Sequence, residues 1–308
     1  MWVRFPPRLQ YHLFLNAMKY LFSLIIIVSS FTLFSQKIPT CWEELTASDF
    51  VLSVKQSEGV CLIPIGVIEK HGQQLPLGTD VYTAREICRR AAEKEYCIIF
   101  PFYYMGQIFE AQHQPGTIAY SSELLFLLLD ETCKEISRNG IKKIILVNGH
   151  GGNNAWLQYF CQIQLSTPRD YAVYTITTSV GQDVQKKITE MRKSTTGGHA
   201  DEVETSTMMA IRPDLVKLDR ATNELGNNQN RLQHLPHVTT GIKWYSQYPN
   251  HYAGDATDAN IAIGELSLED RTQQLIEIIK AVKADETTLR LQDEFFNESQ
   301  SPLKTKAK

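Results

Sequence analysis

Three stretches of the chain gather residue types that bind cations or move protons. In PIGVIEKHGQQLPLGTD, residues 64–80, Glu69, His71 and Asp80 fall within twelve positions, directly after the apolar run VCLIPIG. NGHGGNN, residues 148–154, places His150 beside flexible glycines, and GGHADEVETS, residues 197–206, adds His199, Asp201, Glu202 and Glu204. If the extended backbone continues past residue 66, Glu69 and His71 leave one face and Lys70 the other. A mixed set of imidazoles and carboxylates suits Zn²⁺, Mn²⁺ or Fe²⁺ better than Ca²⁺ or a thiolate-bound metal. An aspartate can offer one oxygen to each of two ions about 3.5 Å apart, which together activate a water. Each piece also has a purely structural reading. Asp80 could cap a helix, HGGN could be a tight turn, and Glu202 and Glu204 suit the first turn of any helix. Glu69 and His71 resist such a reading, because neither is stable at a buried strand end without a partner.

These residues need elements to bring them together. Residues 59–66, CIIFPFYYMG (97–106), KKIILVN (142–148) and DYAVYTITT (170–178) read as strands. Between them lie amphipathic helical segments: DVYTAREICRRAAEKEY from Asp80, SSELLFLLLDETCKEISRNG from Ser121, and AWLQYFCQIQL from Ala155. TCWEELTASDFVLSVKQ reads as a short helix before the first strand, and one long helix is expected through LEDRTQQLIEIIKAVKADETTLRLQDEFF. Strands alternating with helices predict a three-layer α/β/α sandwich with a mainly parallel sheet. Ligands of such sheets bind at the carboxyl ends of the strands, where Glu69, His71 and His150 fall.

A hydrophobic content of 43% and a charged content of 21% are those of an ordinary globular protein. The net charge of −3, with no basic patch, gives no reason to expect nucleic acid as a partner. From Met18, MKYLFSLIIIVSSFTLFSQK has a lysine, an apolar run and then small and polar residues. That is the layout of a secretory signal peptide, expected over residues 1–36 with Met18 as a candidate start. Export to a periplasm follows, with no lasting membrane contact once the signal is removed. A single domain over 37–295 and a disordered tail over 296–308 complete the expected organisation. The six cysteines include no CxxC pair and sit in apolar segments, so buried thiols are expected for most.

PIGVIEKHGQQLPLGTD, NGHGGN and GHADEVETS, in this order and spacing, resemble the motifs of the creatininase (creatinine amidohydrolase) family over about residues 42–280. The resemblance implies one α/β domain assembled as a homo-oligomer, usually a hexamer, and two divalent metal ions per chain (Zn or Mn, with Fe an alternative). It implies Glu69, His71, Asp80 and His150 as ligands, Asp80 as the bridge, and His199 as proton donor. Creatinine hydrolases proper carry a Glu two residues after the His150 position, where this chain has Gly152; Glu204 then becomes the fifth ligand. Gln74 stands where typical members have His. GQIFEAQHQPGT keeps Glu110, has Ala111 in place of the usual His, and offers His113 two positions on. The segment before GHADE lacks the tryptophans that enclose creatinine, so a different substrate is expected.

The expected chemistry is metal-dependent hydrolysis of a C–N bond in a small molecule. His199 acts as acid with Glu202 or Asp201 beside it, and Gly151, Gly152, Asn153, Glu110 and His113 line the substrate pocket. A keto-cyclitol or sugar-derived substrate on the same metals is the alternative. A non-catalytic periplasmic binding protein is another class, disfavoured because a degenerate binder gains nothing from buried ion ligands. A nucleotide enzyme lacks its phosphate-loop signature, since neither GxGxxG nor GK[ST] stands at a strand end.

Overall fold

A computed structural model describes residues 37–305 apart from Leu225. Strand β1 (Val60–Ile65) is buried along its whole length. It pairs in parallel with β2 (Ile98–Ile99) and β3 (Lys143–Asn148), and β3 pairs in parallel with β4 (Ala172–Thr177), giving the order β2-β1-β3-β4. Alternate side chains of these strands enter different cores, as the pleat requires. Val60, Leu62, Ile145 and Val147 pack with α2 (Thr79–Lys94) and α8 (Ile261–Ala284). Cys61, Ile63, Ile65, Ile144 and Leu146 pack on the other face with α3 (Ser122–Arg138) and α4 (Asn153–Ile163). This is the expected three-layer sandwich.

The register fixes where the loops emerge. Ile65 lies beside Asn148, and Asn148 beside Thr177, so β1, β3 and β4 end side by side. The loops leaving these three strands therefore all start from one edge of the sheet. α1 (Ala47–Gln56) starts with the Thr46 hydroxyl accepting from Asp49 N, and α3 with the Ser121 hydroxyl accepting from Leu124 N. α5 (Gln182–Met191), α6 (Glu202–Ile211) and the short α7 (Lys243–Gln247) lie between β4 and α8.

Four expectations need correction. Asp80 is not a helix cap: α2 begins at Thr79 after Gly78, and the Asp80 carboxylate points to histidines. The second strand is a two-residue ladder, because Pro101 has no N–H to continue it; Tyr103 makes only an isolated bridge to Ile65. The last helix is two, α8 and α9 (Thr287–Ser299). Asp285 leaves helical geometry at ψ 111°, and its carboxylate accepts from Thr287 N and Thr288 N to start the second. The tail expected to be disordered from residue 296 is therefore helical to Ser299, with one further turn at Pro302–Lys304. All six cysteines are free, five of them buried. Among the described residues no helix is long and apolar enough to cross a membrane. The expected signal segment, residues 1–36, lies outside the described residues.

Candidate metal centre

The loop after β1 carries Glu69 and His71 inward, and both are fully buried. Glu69 N donates to Leu77 O at 3.0 Å, tying this loop to the return that leads into α2 and Asp80. His71 Nδ1 lies 3.3 Å from Glu69 O. A carbonyl only accepts, so Nδ1 carries a proton and Nε2 is the nitrogen that would turn to an ion. Nε2 faces Asp80 Oδ1 at 3.2 Å and Glu204 Oε2 at 4.0 Å. A ring nitrogen fixed by a backbone carbonyl, with the other left bare, is the usual dress of a metal-bound histidine.

His150 faces the same group from the β3 side. Its Nδ1 is 2.8 Å from Glu69 Oε1 and 3.1 Å from Asp80 Oδ2. The turn that presents it is built by asparagines: Asn148 Oδ1 accepts from His150 N, and Asn148 Nδ2 donates to His150 O. Gly149 lies so close to α2 that a Cβ would sit 2.7 Å from Asp80 O. Asp80 therefore touches one imidazole with each oxygen, which is the arrangement a bridging carboxylate needs.

The electrostatics state what this cluster lacks. Burial would raise the Glu69 pKa, but His150 and His199 hold it well below the usual carboxylate range. Burial would likewise lower His71 and His150, yet Asp80 and Glu69 hold the first up at about 10, and Glu69 and Asp80 push the second well up. Buried carboxylates here demand positive charge. Glu69 Oε1 and Asp80 Oδ2 are buried and accept no well-formed hydrogen bond among the described residues. Orphaned oxygens beside imidazole nitrogens fit divalent cations, with Glu69, Asp80 and His150 as one donor group and Glu69, His71 and His199 as a second; Asp80 Oδ1 and Glu204 Oε2 also face His71.

A cation bound only by the native chain stabilises it by about 4 kcal/mol at a thousandfold excess over its Kd. For a domain of this size, about 2–4 °C of Tm accompanies each kcal/mol. Stripping the metal-replete protein with a chelator is expected to lower its Tm by roughly 8–16 °C, restored by Zn²⁺ or Mn²⁺. An unchanged melting curve would count against the cation centre.

Beside the cluster lies a cavity of about 250 Å³, lined by Glu110, Gly151, Gly152, His199, Trp244 and His251 among others. His199 Nε2 is 2.8 Å from Lys70 O, so that nitrogen carries the proton and has no lone pair for an ion. Its Nδ1 is the ring nitrogen that this bond leaves unprotonated in the neutral ring. The structure corrects the partner expected for it. Glu202 does not meet His199: its carboxylate accepts from the backbone amides of Lys193 and Ser194 and fastens that segment to α6. Asp201 caps α6, accepting from Val203 N and Glu204 N at 3.0 Å each.

Of the expected pocket residues, Gly151, Gly152 and Glu110 line the cavity, and two do not. Asn153 is fully buried and bonded to Asn148 and Gln107 N, so it builds the turn. His113 donates to Pro249 O at 2.8 Å and packs edge-on against Tyr245, supporting the 244–250 segment from behind. Glu110 fills the space over Gly152, where a Cβ would come within 2.8 Å of Glu110 Oε1 and 2.4 Å of His150 Nε2. Burial raises the Glu110 pKa. Gln74 donates to Ala200 O and Thr205 Oγ1 and holds the GHADE loop in place.

Sequence reasoning missed Trp244 and His251. Trp244 supplies an aromatic wall, its ring perpendicular to that of His199 at 5.9 Å. His251 is 2% exposed and hydrogen-bonds Glu69 through Nε2. Neither belongs to a motif, and nothing in YPNHYAG marks its histidine. Lys70, expected to point away, does so to good effect: its ammonium binds Glu224 and Asn250 O and pins the segment that carries His251.

A parallel sheet with carboxylates and imidazoles converging at its strand ends defines an α/β protein built around a cation-binding centre. The chain belongs to the creatininase family: the family's sequence model, described as creatinine amidohydrolase, matches residues 43–279. It is 25% identical over 194 residues to a creatinine amidohydrolase of Pseudomonas putida, covering 58% of this chain and 75% of that protein. It is 28% identical over 237 residues to a mycofactocin precursor peptide peptidase of Mycolicibacterium smegmatis, covering 74% and 87%. Among solved structures, a creatininase described with manganese superposes with a TM-score of 0.68 at 22% identity, over 80% of this chain and 99% of that one.

Proposed function

We propose that this chain is an exported, metal-dependent amidohydrolase that cleaves a C–N bond with two divalent ions, Zn²⁺ or Mn²⁺, held at the strand ends. The observation that carries this reading is Asp80, whose two oxygens face two different imidazoles. Two relatives point to C–N cleavage by their descriptions, one an amidohydrolase and one a peptidase. Bound there, the ions supply Lewis acidity and a water made acidic enough to ionise near neutrality.

The chain's own residues do the rest. Glu69, His71, Asp80, His150 and Glu204 hold the charge in place. Gly151 and Gly152 border the cavity without side chains, so a substrate carbonyl can approach their backbone N–H groups. His199, oriented by Lys70 O through Nε2, takes up at Nδ1 the proton lost by the attacking water and passes it to the leaving nitrogen. Trp244 replaces, from another segment, the aromatic wall that the residues before GHADE do not provide. Export rests on the signal-like residues from Met18. Self-association is supported by Leu127 and Tyr159, each 59% exposed on α3 and α4.

The test gives metal-replete protein a cyclic amide, a short peptide or a keto-cyclitol, following amine formation for the first two and acid formation for the third. Metal-dependent turnover of the first or second supports C–N hydrolysis. Turnover of the keto-cyclitol alone overturns it in favour of cyclitol chemistry on the same site.

A further inference from the structure

Four imidazoles crowd Glu69, those of His71, His150, His199 and His251, and hydrogen-bond partners distinguish three of them. His71 donates through Nδ1 to a carbonyl and turns Nε2 to Asp80, while His199 donates through Nε2 to Lys70 O. His251 is different. The indole N–H of Trp244 donates to its Nδ1 at 2.9 Å. An indole N–H can only donate, so Nδ1 is an acceptor and the ring proton of neutral His251 sits on Nε2. That N–H points at Glu69 Oε2, and both side chains are buried. With one nitrogen taken by the indole and the other protonated, His251 has no lone pair for an ion.

We infer that His251 is a positioning residue: locked by Trp244 as an Nε2–H donor, it holds Glu69 Oε2 and leaves Oε1 as the one oxygen that Glu69 offers to a metal. The orphaned state of Oε1, beside His150 Nδ1 and next to Asp80, fits this division of labour. The backbone around His251 is arranged to keep the ring there. His251 occupies the left-handed region at φ 52°, which non-glycine residues rarely adopt. Its N donates to Tyr248 O at 2.9 Å, Lys70 Nζ holds the preceding Asn250 O at 2.9 Å, and Ala253 forms an antiparallel bridge with His199. Local strain maintained by this many contacts is typical of functional positions. A corollary concerns specificity. The Trp244 N–H is spent on His251, so Trp244 presents a ring face to substrate and no hydrogen-bond donor.

This inference rests on the metal-centre reading, and the experiment separates the two. Zn²⁺ affinity of the full chain is measured by competition with a chromophoric chelator for wild type, His251→Ala, His251→Gln and Trp244→Phe, with Tm recorded for each. The ring-nitrogen protonation of His251 is read by ¹⁵N NMR in metal-free protein. His251→Ala is expected to weaken Zn²⁺ binding by about 10–100-fold, the usual cost of losing an outer-shell partner. His251→Gln, which keeps an N–H donor, recovers most of that loss. Trp244→Phe, which keeps the ring but not its N–H, loses part of the affinity and the fixed tautomer. Three results overturn the inference alone: a wild-type proton on Nδ1, unchanged affinity in a folded His251→Ala, or loss of one whole ion that His251→Gln does not restore. A wild-type chain that takes up no ion overturns the metal-centre reading and this inference with it, while the tautomer still reports separately on the Trp244 lock.

Discussion

Asp80→Asn is expected to cut the metal content of the purified chain from about two ions to one or none, and turnover by at least about a thousandfold. The magnitude comes from the several kcal/mol of transition-state stabilisation that metal ions provide, at tenfold per 1.4 kcal/mol. The reason is geometric. Asp80 Oδ1 lies 3.2 Å from His71 Nε2 and Oδ2 lies 3.1 Å from His150 Nδ1, so each oxygen of this side chain faces a different imidazole. Asparagine keeps one oxygen and turns an NH₂ group toward the other ion. Its near-identical volume leaves the packing of α2 against the sheet undisturbed. Metal analysis, read beside circular dichroism to show an intact fold, decides the matter. A variant that retains two ions and its turnover would show that Asp80 does not bridge.

His199→Ala is expected to behave differently, losing about 10²–10⁴ in kcat as general acids do while keeping its full metal content. Lys70 O engages Nε2, so the ring orients itself against backbone without an ion. The ring lies against His71, centroids 4.3 Å apart and planes tilted by 40°, and forms one wall of the cavity, which puts it within reach of a leaving group. A substrate whose leaving nitrogen is already a good leaving group should be much less affected by the substitution, because it needs less protonation. Loss of an ion together with activity would make His199 a ligand and remove its role as acid.

Most of the scaffold is legible in the sequence because its signals are local. Val60–Ile65 and Lys143–Asn148 are short apolar runs with helix-patterned segments between them, and a parallel sheet then brings Glu69, His71 and His150 to one edge without further information. Motif order adds Asp80, His199 and Glu204. The second strand is overextended because aromatic residues after Pro101 are apolar enough to read as strand, while the missing proline N–H ends the ladder. The helix break at Asp285 is written in DETT, a capping pattern hidden inside an otherwise periodic stretch. Glu202, Asn153 and His113 have the right chemistry and the right neighbours in sequence, but backbone amides and carbonyls claim their side chains. His251 shows the opposite case. Its partner Glu69 is 182 residues away in the chain, and only the folded backbone brings the two into contact.

Such separation bears on how the protein is made. Contacts between distant segments close late, because loop closure costs entropy before it returns any contact energy. The centre draws on five stretches, the loop after β1, the start of α2, the turn after β3, the start of α6 and the loop before α8. Glu69, Asp80 and His150 meet only once β1 and β3 have paired, and His251 reaches Glu69 only when the loop before α8 has closed. Metal uptake is therefore expected late in folding. Interactions formed after the transition state act on the reverse reaction, so the ions would slow unfolding and leave the folding rate to the topology of the sheet.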